Sequence, residues 1–240
     1  MKTTLTSPLT LLKQAWSLAL SRQNIISFLI LGAVPQLLFF AFSALIALAS
    51  GTTDFETTIS DLFTNSGGWG IVGLVLAGLI GLVIISLISA WYTALLYTVY
   101  QATAAGTIEK LTTYVRPAKA VTVHVLVTYM TVGLFTSLGF LLFIIPGIII
   151  AVRYMFAPMI AAVEDRTTKP IDESKRLVKG RFWKLAGRGL LMIVCYNIPL
   201  SIFQAIHPVL GSAWAVTSPI FGLYFFLVYR DFKNTALVTT

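Results

Sequence analysis

Residues 140–188 read FLLFIIPGIIIAVRYMFAPMIAAVEDRTTKPIDESKRLVKGRFWKLAGR. An apolar run is interrupted by Pro146-Gly147, resumes, carries the single charge Arg153, and stops at Glu164-Asp165, where the densest charge cluster of the chain begins. Between Lys119 and Glu164 lie 44 residues with no charge other than Arg153. As helix they would extend roughly 66 Å, about twice the ~30 Å hydrocarbon core of a bilayer, so the segment is expected to cross twice with a turn between. Pro146 lacks an N–H and clashes with a preceding helical turn, while Gly147 takes the backbone angles that follow. The turn is therefore expected at Pro146-Gly147, separating spans over 120–145 and 148–163.

Composition agrees with lipid as the solvent. Of 240 residues 57% are apolar and only 11% charged, and the mean hydropathy is +0.87, whereas a soluble domain carries about 25% charge. One integral membrane domain, 1–240, is the reading. The net charge of +8 does not point to nucleic acid, because the cations fall at the ends of apolar runs and not in one basic stripe. The single cysteine, Cys195, lies inside an apolar run and implies neither a disulfide framework nor a metal site.

The rest of the chain is read outward from that stretch. Residues 8–22 put Leu9, Leu12, Ala15, Trp16, Ala19 and Leu20 on one helical face, with Ser7 to cap and Pro8 in the first turn. A wide apolar face with Trp near its middle describes a helix lying in the membrane interface, or a cytosolic extension of the first span. A first span is expected over 25–49, kinked at Pro35, and too long for a signal peptide. Thr53 and Glu56 have capping-box spacing ahead of a short surface helix, whose acids Asp54, Glu56 and Asp61 lack a calcium-loop pattern. A second span over 69–100 carries Gly73, Ala77 and Gly81 at four-residue spacing, then Ser86, Ala90 and Ala94. Such rows let helices approach closely, so this span is expected at the packed centre of the bundle, against a helix of the same chain or a second copy. Its closing Trp91, Tyr92, Tyr97 and Tyr100 suggest an interfacial belt. Two further spans, 182–206 and 209–229, meet at His207-Pro208. The fold class is thus an all-α polytopic helix bundle of six transmembrane helices with two cytoplasmic interfacial amphipathic helices.

The stretch Leu141-Leu142 to Ile145-Pro146-Gly147, Arg153, Pro158, Glu164 and Ser174-x-x-Leu177-x-x-Gly180-Arg181-Phe182-Trp183 resembles the membrane domain of bacterial glycerophosphodiester phosphodiesterases and its stand-alone uncharacterised relatives. About 50 residues carry the likeness. It implies a multi-helix membrane module. The hydrolase's metal-dependent TIM barrel has no counterpart in this sequence, so hydrolysis is not carried over.

Charge placement gives an orientation. Three Lys or Arg precede the first span, three lie between the second and third, eight run from Arg166 to Arg188 and two follow the sixth, which accounts for sixteen of seventeen. Cytoplasmic loops are enriched in Lys and Arg, so both termini are expected in the cytoplasm of a bacterial-type inner membrane.

Three constellations bear on function. Arg153, a charge inside a span, either snorkels to the headgroups from about 10 Å below the outer surface or holds a lipid phosphate with its guanidinium fork. The segment 170–180 forms an amphipathic helix with Ile171, Ser174, Leu177 and Val178 on one side and Asp172, Arg176 and Lys179 on the other. Lys175, Arg176, Lys179, Arg181, Lys184 and Arg188 then either fix topology or bind anionic headgroups. Neither His124 nor His207 has a partner at helical spacing, no carboxylate occurs within a span, and no nucleophile or zinc motif is present, so a non-enzymatic protein without a cofactor is expected. Its partners would be membrane lipids, anionic ones above all, and a membrane protein or second copy. The competing expectation is a small transporter or channel for a neutral or anionic solute, using broken helices near Pro146 and Arg153.

Overall fold

The computed structural model describes residues 4–50, 67–107 and 109–238. Backbone groups in hydrocarbon have no water to bond, and only a closed set of internal bonds satisfies them, so apolar runs of this length take up helix. The helices are α1 (Pro8–Ala19), α2 (Ile25–Ser50), α3 (Gly67–Ala105), α4 (Leu111–Leu142), α5 (Ile144–Tyr154), α6 (Ala157–Val163), α7 (Pro170–Val178), α8 (Phe182–Ile206), α9 (Pro208–Ala215) and α10 (Ser218–Val238). No strand occurs among the described residues. The short helix expected near Thr53 to Phe63 lies outside them.

Among the described residues five apolar stretches are long enough to cross a bilayer: Gly78–Ala105, Leu111–Leu142, Ile144–Val163, Phe182–Ile206 and Pro208–Leu237. They make the chain a multi-pass membrane protein. The Phe182–Ile206 helix has the expected limits. The other bounds move, and each shift has a local cause.

The turn between the third and fourth spans is at Phe143, not at Pro146. Phe143 is extended (φ −164°, ψ 156°) and separates α4 from α5. Pro146 is the third residue of α5, where a missing N–H leaves no helical bond unmade. Gly147 serves packing and not turning. A Cβ there would lie 2.5 Å from the Phe140 ring, and one on Gly139 would lie 2.9 Å from the Gly147 Cα. The two glycines let α4 and α5 close on each other.

Two spans are broken within their length. Met155 and Phe156 separate α5 from α6, and Val216 and Thr217 separate α9 from α10. In α2, Pro35 lies inside the helix and deprives the Leu31 carbonyl of its usual donor. The Tyr92 hydroxyl of α3 donates to that carbonyl instead.

The packed centre is α10, not α3. Ile220, Phe221, and the run Leu223 to Tyr229 are buried, with Phe232 beyond them. Aromatic contacts radiate from this helix to Trp16 of α1, Tyr100 of α3, Phe156 between α5 and α6, and Tyr196 of α8. By contrast the first half of α3 exposes Val75, Leu76, Leu79, Ile80, Leu82 and Val83. Of the small residues in its row whose burial is described, only Ala90 and Ala94 are buried. A Cβ on Gly73 or Gly81 would meet nothing within 4 Å among the described residues, so the intramolecular packing expected for Gly73, Ala77 and Gly81 is not made at either glycine. Tyr97 and Tyr100, expected in an interfacial belt, are buried: Tyr100 against Phe28 of α2 and Phe226 of α10, and Tyr97 against Tyr100 with its hydroxyl 3.2 Å from that of Tyr129 in α4.

Helix α1 also differs from expectation. Its bounds are shorter than 8–22, and Ser7 precedes it without a side-chain capping bond. Leu11, Ala15 and Ala19 are buried. Thr6 meets Asp231 at one end and Trp16 meets Phe221 at the other. The helix therefore runs antiparallel along α10 with Leu11, Ala15 and Ala19 covered by protein, while Leu9 and Leu20 of the expected apolar face stay exposed. Helix α7 has the expected division: Ser174, Leu177 and Val178 are buried while Lys175, Arg176 and Lys179 are exposed. Gly180 follows with φ +75°, a left-handed angle that glycine adopts without a side-chain clash, and turns the chain into α8.

Candidate functional site

One end of the bundle gathers most of the charge, and its cations fall into two groups. The first group is engaged internally. Arg188 of α8 donates to Asp231 of α10 at 3.0 Å and to the Thr6 carbonyl. Thr6 returns two bonds to the same carboxylate, from its N–H at 2.9 Å and its hydroxyl at 2.8 Å. The Arg188 guanidinium also lies 5.2 Å over the Phe232 ring. Burial of a charge is costly unless it is paired and hydrogen-bonded, and here both conditions hold. A second, partly buried set joins Glu164, at the end of α6, to the Tyr229 hydroxyl and to Lys233 at 2.6 Å. Arg230 donates to the Ala104 carbonyl at 2.7 Å, Arg181 to the Phe232 carbonyl at 3.3 Å, and Arg166 to the Ala120 carbonyl.

The second group faces outward. Lys179 and Lys184 are exposed with no partner among the described residues. Lys175 is 3.7 Å from Asp172 and 5.4 Å from the Tyr154 ring centre. Arg176 pairs with Glu173 at 2.8 and 2.6 Å. That bonding pushes the guanidinium pKa further above its ordinary value, so the charge is permanent, but both head groups remain exposed.

Arg153 belongs to this second group. With the turn at Phe143 it lies ten residues into the returning span, in the last turn of α5. Its carbonyl accepts a hydrogen bond from Ser174 of α7 at 2.8 Å, and its own side chain is exposed without a partner among the described residues. The expected position about 10 Å below the far surface is corrected accordingly. A helix break at Met155-Phe156 lets α7 pack against α5, and the lone intraspan cation sits beside the basic segment.

The seven cations singled out from sequence therefore divide. Arg153, Lys175, Arg176, Lys179 and Lys184 present exposed charge, while Arg188 is buried in a clamp and Arg181 is half-buried with one bond to α10. Sequence reasoning missed Thr6, Glu164, Tyr229, Asp231 and Lys233 as structural partners. Asp231 was the available signal: it follows an apolar span directly, and a carboxylate there needs a donor.

Among the described residues no three His, Cys, Asp or Glu side chains gather as metal ligands. The Nδ1 of His207 accepts from the Val209 N–H at 3.2 Å and so caps α9. Between α3 and α4 an open groove of about 620 Å3 is lined by Ser86, Ser89, Thr93 and Tyr129 among apolar neighbours. No family model, curated protein or solved structure matches the chain.

Proposed function

We propose that this chain is a six-span, non-enzymatic protein of a bacterial-type cytoplasmic membrane, with both termini in the cytoplasm, that acts by holding anionic lipid or an anionic membrane partner at its basic end. Helix α2, whose described apolar stretch is Ile25–Ala41, supplies the first span. The observation that carries the reading is the division of the cations. Arg188 and Lys233 are paired with Asp231 and Glu164 within the bundle, whereas Arg153, Lys179 and Lys184 present exposed charge with no partner among the described residues, and Lys175 and Arg176 are exposed beside Asp172 and Glu173. A basic residue close to an anionic leaflet gains about 1 kcal/mol, so several acting together hold a headgroup layer firmly. The likeness of residues 140–188 to the phosphodiesterase membrane module supports a multi-helix membrane module and no particular ligand.

The test is native mass spectrometry of the full chain released from membranes. Anionic phospholipid is expected to co-purify, and joint replacement Lys175→Gln, Arg176→Gln and Lys179→Gln is expected to deplete it. Equal retention by that variant would refute the reading. Orientation is tested in a Cys195→Ser background: Trp183→Cys is expected to react from the cytoplasmic side and His207→Cys from the opposite side.

A carrier of a neutral solute is the second reading, supported by the hydroxyl-lined groove between α3 and α4. It does not draw on Pro146, which lies in the first turn of α5 and breaks no helix. Saturable flux in liposomes would favour it.

A further inference from the structure

We infer that the mouth of α8 is a discrete binding site for one anionic phospholipid, with the phosphate in a groove beside Arg181 and Lys184 and an acyl chain on the flank of α8 above it. This rests on the proposed lipid-holding role and assigns it a place distinct from α7.

The groove has a volume of about 610 Å3 and lies between the segment before α1 and the first turns of α8. Its polar lining includes Thr4, Ser7, Arg181 and Lys184. Asp231, the nearby carboxylate, has both oxygens occupied: Oδ1 accepts from the Thr6 hydroxyl, and Oδ2 from the Thr6 N–H and Arg188. The charge of Arg188 is balanced by this carboxylate, so Arg181 and Lys184 leave the groove with uncompensated positive charge. The Ser7 hydroxyl makes no capping bond, has no other partner among the described residues and can donate into the groove it lines. Cations and hydroxyl donors converging on an open groove are the chemistry that holds a phosphate monoanion.

The surface above the groove separates a lipid from a free phosphate. Trp183 is 83% exposed and lines the groove beside Gly187. Residues three and four apart share a helical face, so Trp183, Gly187, Leu190, Val194 and Ile198 form one stripe along α8. Leu190, Val194 and Ile198 are all exposed, and a Cβ at Gly187 would meet nothing within 4 Å. A glycine thus leaves a gap between the phosphate groove and a lipid-facing apolar track. An exposed indole at the junction suits the headgroup level of a bilayer. Inorganic phosphate would use the groove alone, and only a molecule with both parts would use the whole stripe.

The experiment uses the full chain in nanodiscs of phosphatidylcholine containing phosphatidylglycerol, read by native mass spectrometry. The wild type is expected to retain one phosphatidylglycerol in preference to phosphatidylcholine. Lys184→Gln should weaken that retention roughly fivefold. Gly187→Phe, which fills the gap and changes no charge, should also remove it, while Lys175→Gln with Lys179→Gln should lower only the broader lipid complement. Retention of the single lipid by both Lys184→Gln and Gly187→Phe would overturn the site but leave the wider lipid reading standing. Absence of any phosphatidylglycerol preference in the wild type would overturn both. Displacement of the lipid by inorganic phosphate in the millimolar range would assign the groove to soluble phosphate and overturn the role of the acyl track.

Discussion

Arg188 of α8 and Asp231 of α10 meet at 3.0 Å with side chains only 6% and 11% exposed, and Thr6 closes the pair by bonding both partners. Three segments distant in sequence are thereby fixed at one point. Removing one member of such a pair strands the other charge, at a cost of about 3–5 kcal/mol. Asp231→Asn is accordingly expected to lower the melting temperature strongly in detergent, with the double replacement Arg188→Met and Asp231→Leu less harmful than the single one. A double variant as damaging as Asp231→Asn would mean that the three-way bonding, and not the stranded charge, sets the stability.

Tyr92 donates its hydroxyl to the Leu31 carbonyl that Pro35 leaves open. An unmade bond at a buried acceptor costs about 1–3 kcal/mol. Tyr92→Phe is therefore expected to destabilise the protein by that amount, and Pro35→Ala, which restores the helical donor, should rescue most of the loss. Failure of Pro35→Ala to rescue would show that the Tyr92 hydroxyl stabilises the protein by something other than satisfying the open Leu31 carbonyl.

The glycines offer a contrast along the chain. A Cβ on Gly32 of α2 would stand 1.8 Å from the Val216 carbonyl oxygen, a backbone atom in the break between α9 and α10. Gly32→Ala should therefore force α2 away from that break and cost at least the 1–3 kcal/mol typical of overpacking. Gly73→Ala meets open space and should be neutral, or stabilising by up to about 1 kcal/mol through helix propensity. Thermal melts of the two variants in one detergent check this. A large loss at Gly73, coupled to a change in oligomeric state, would reveal a second copy seated on α3.

These cases show which parts of the architecture can be read from residues in order. The limits of α8 were legible because Gly180-Arg181 and His207-Pro208 bound an apolar run of spanning length. The faces of α7 were legible because Pro170 starts it, Gly180 ends it and its apolar positions recur at helical spacing. What the sequence did not reveal depends on pairing at a distance. Thr6 and Asp231 are 225 residues apart, and no local pattern distinguishes an apolar face that meets α10 from one that meets lipid. For the same reason α3 was expected at the centre. Pro146 misled for another reason: a proline marks either a break or a first turn, and only the extended Phe143 decides between them.

Arg153 shows how a fixed backbone can carry a free charge. Its carbonyl accepts from Ser174 at 2.8 Å, which joins α5 to α7, while its guanidinium has no internal partner among the described residues. Ser174→Ala removes the donor from a carbonyl at the end of α5 and should cost about 1–3 kcal/mol if that acceptor stays dry. Changes to the Arg153 head should leave stability alone and act on lipid. If the contact is one of charge, Arg153→Lys keeps the wild-type complement of anionic phospholipid, whereas Arg153→Gln lowers it roughly fivefold. Lysine cannot reproduce the planar fork of a guanidinium, so the pair of variants separates charge from bidentate bonding. Lipid retention measured on both in the same nanodiscs is expected to show Lys tolerated and Gln depleted. Equal depletion in the two would assign Arg153 to a forked phosphate bond and remove it from the group of exposed cations that act by charge alone.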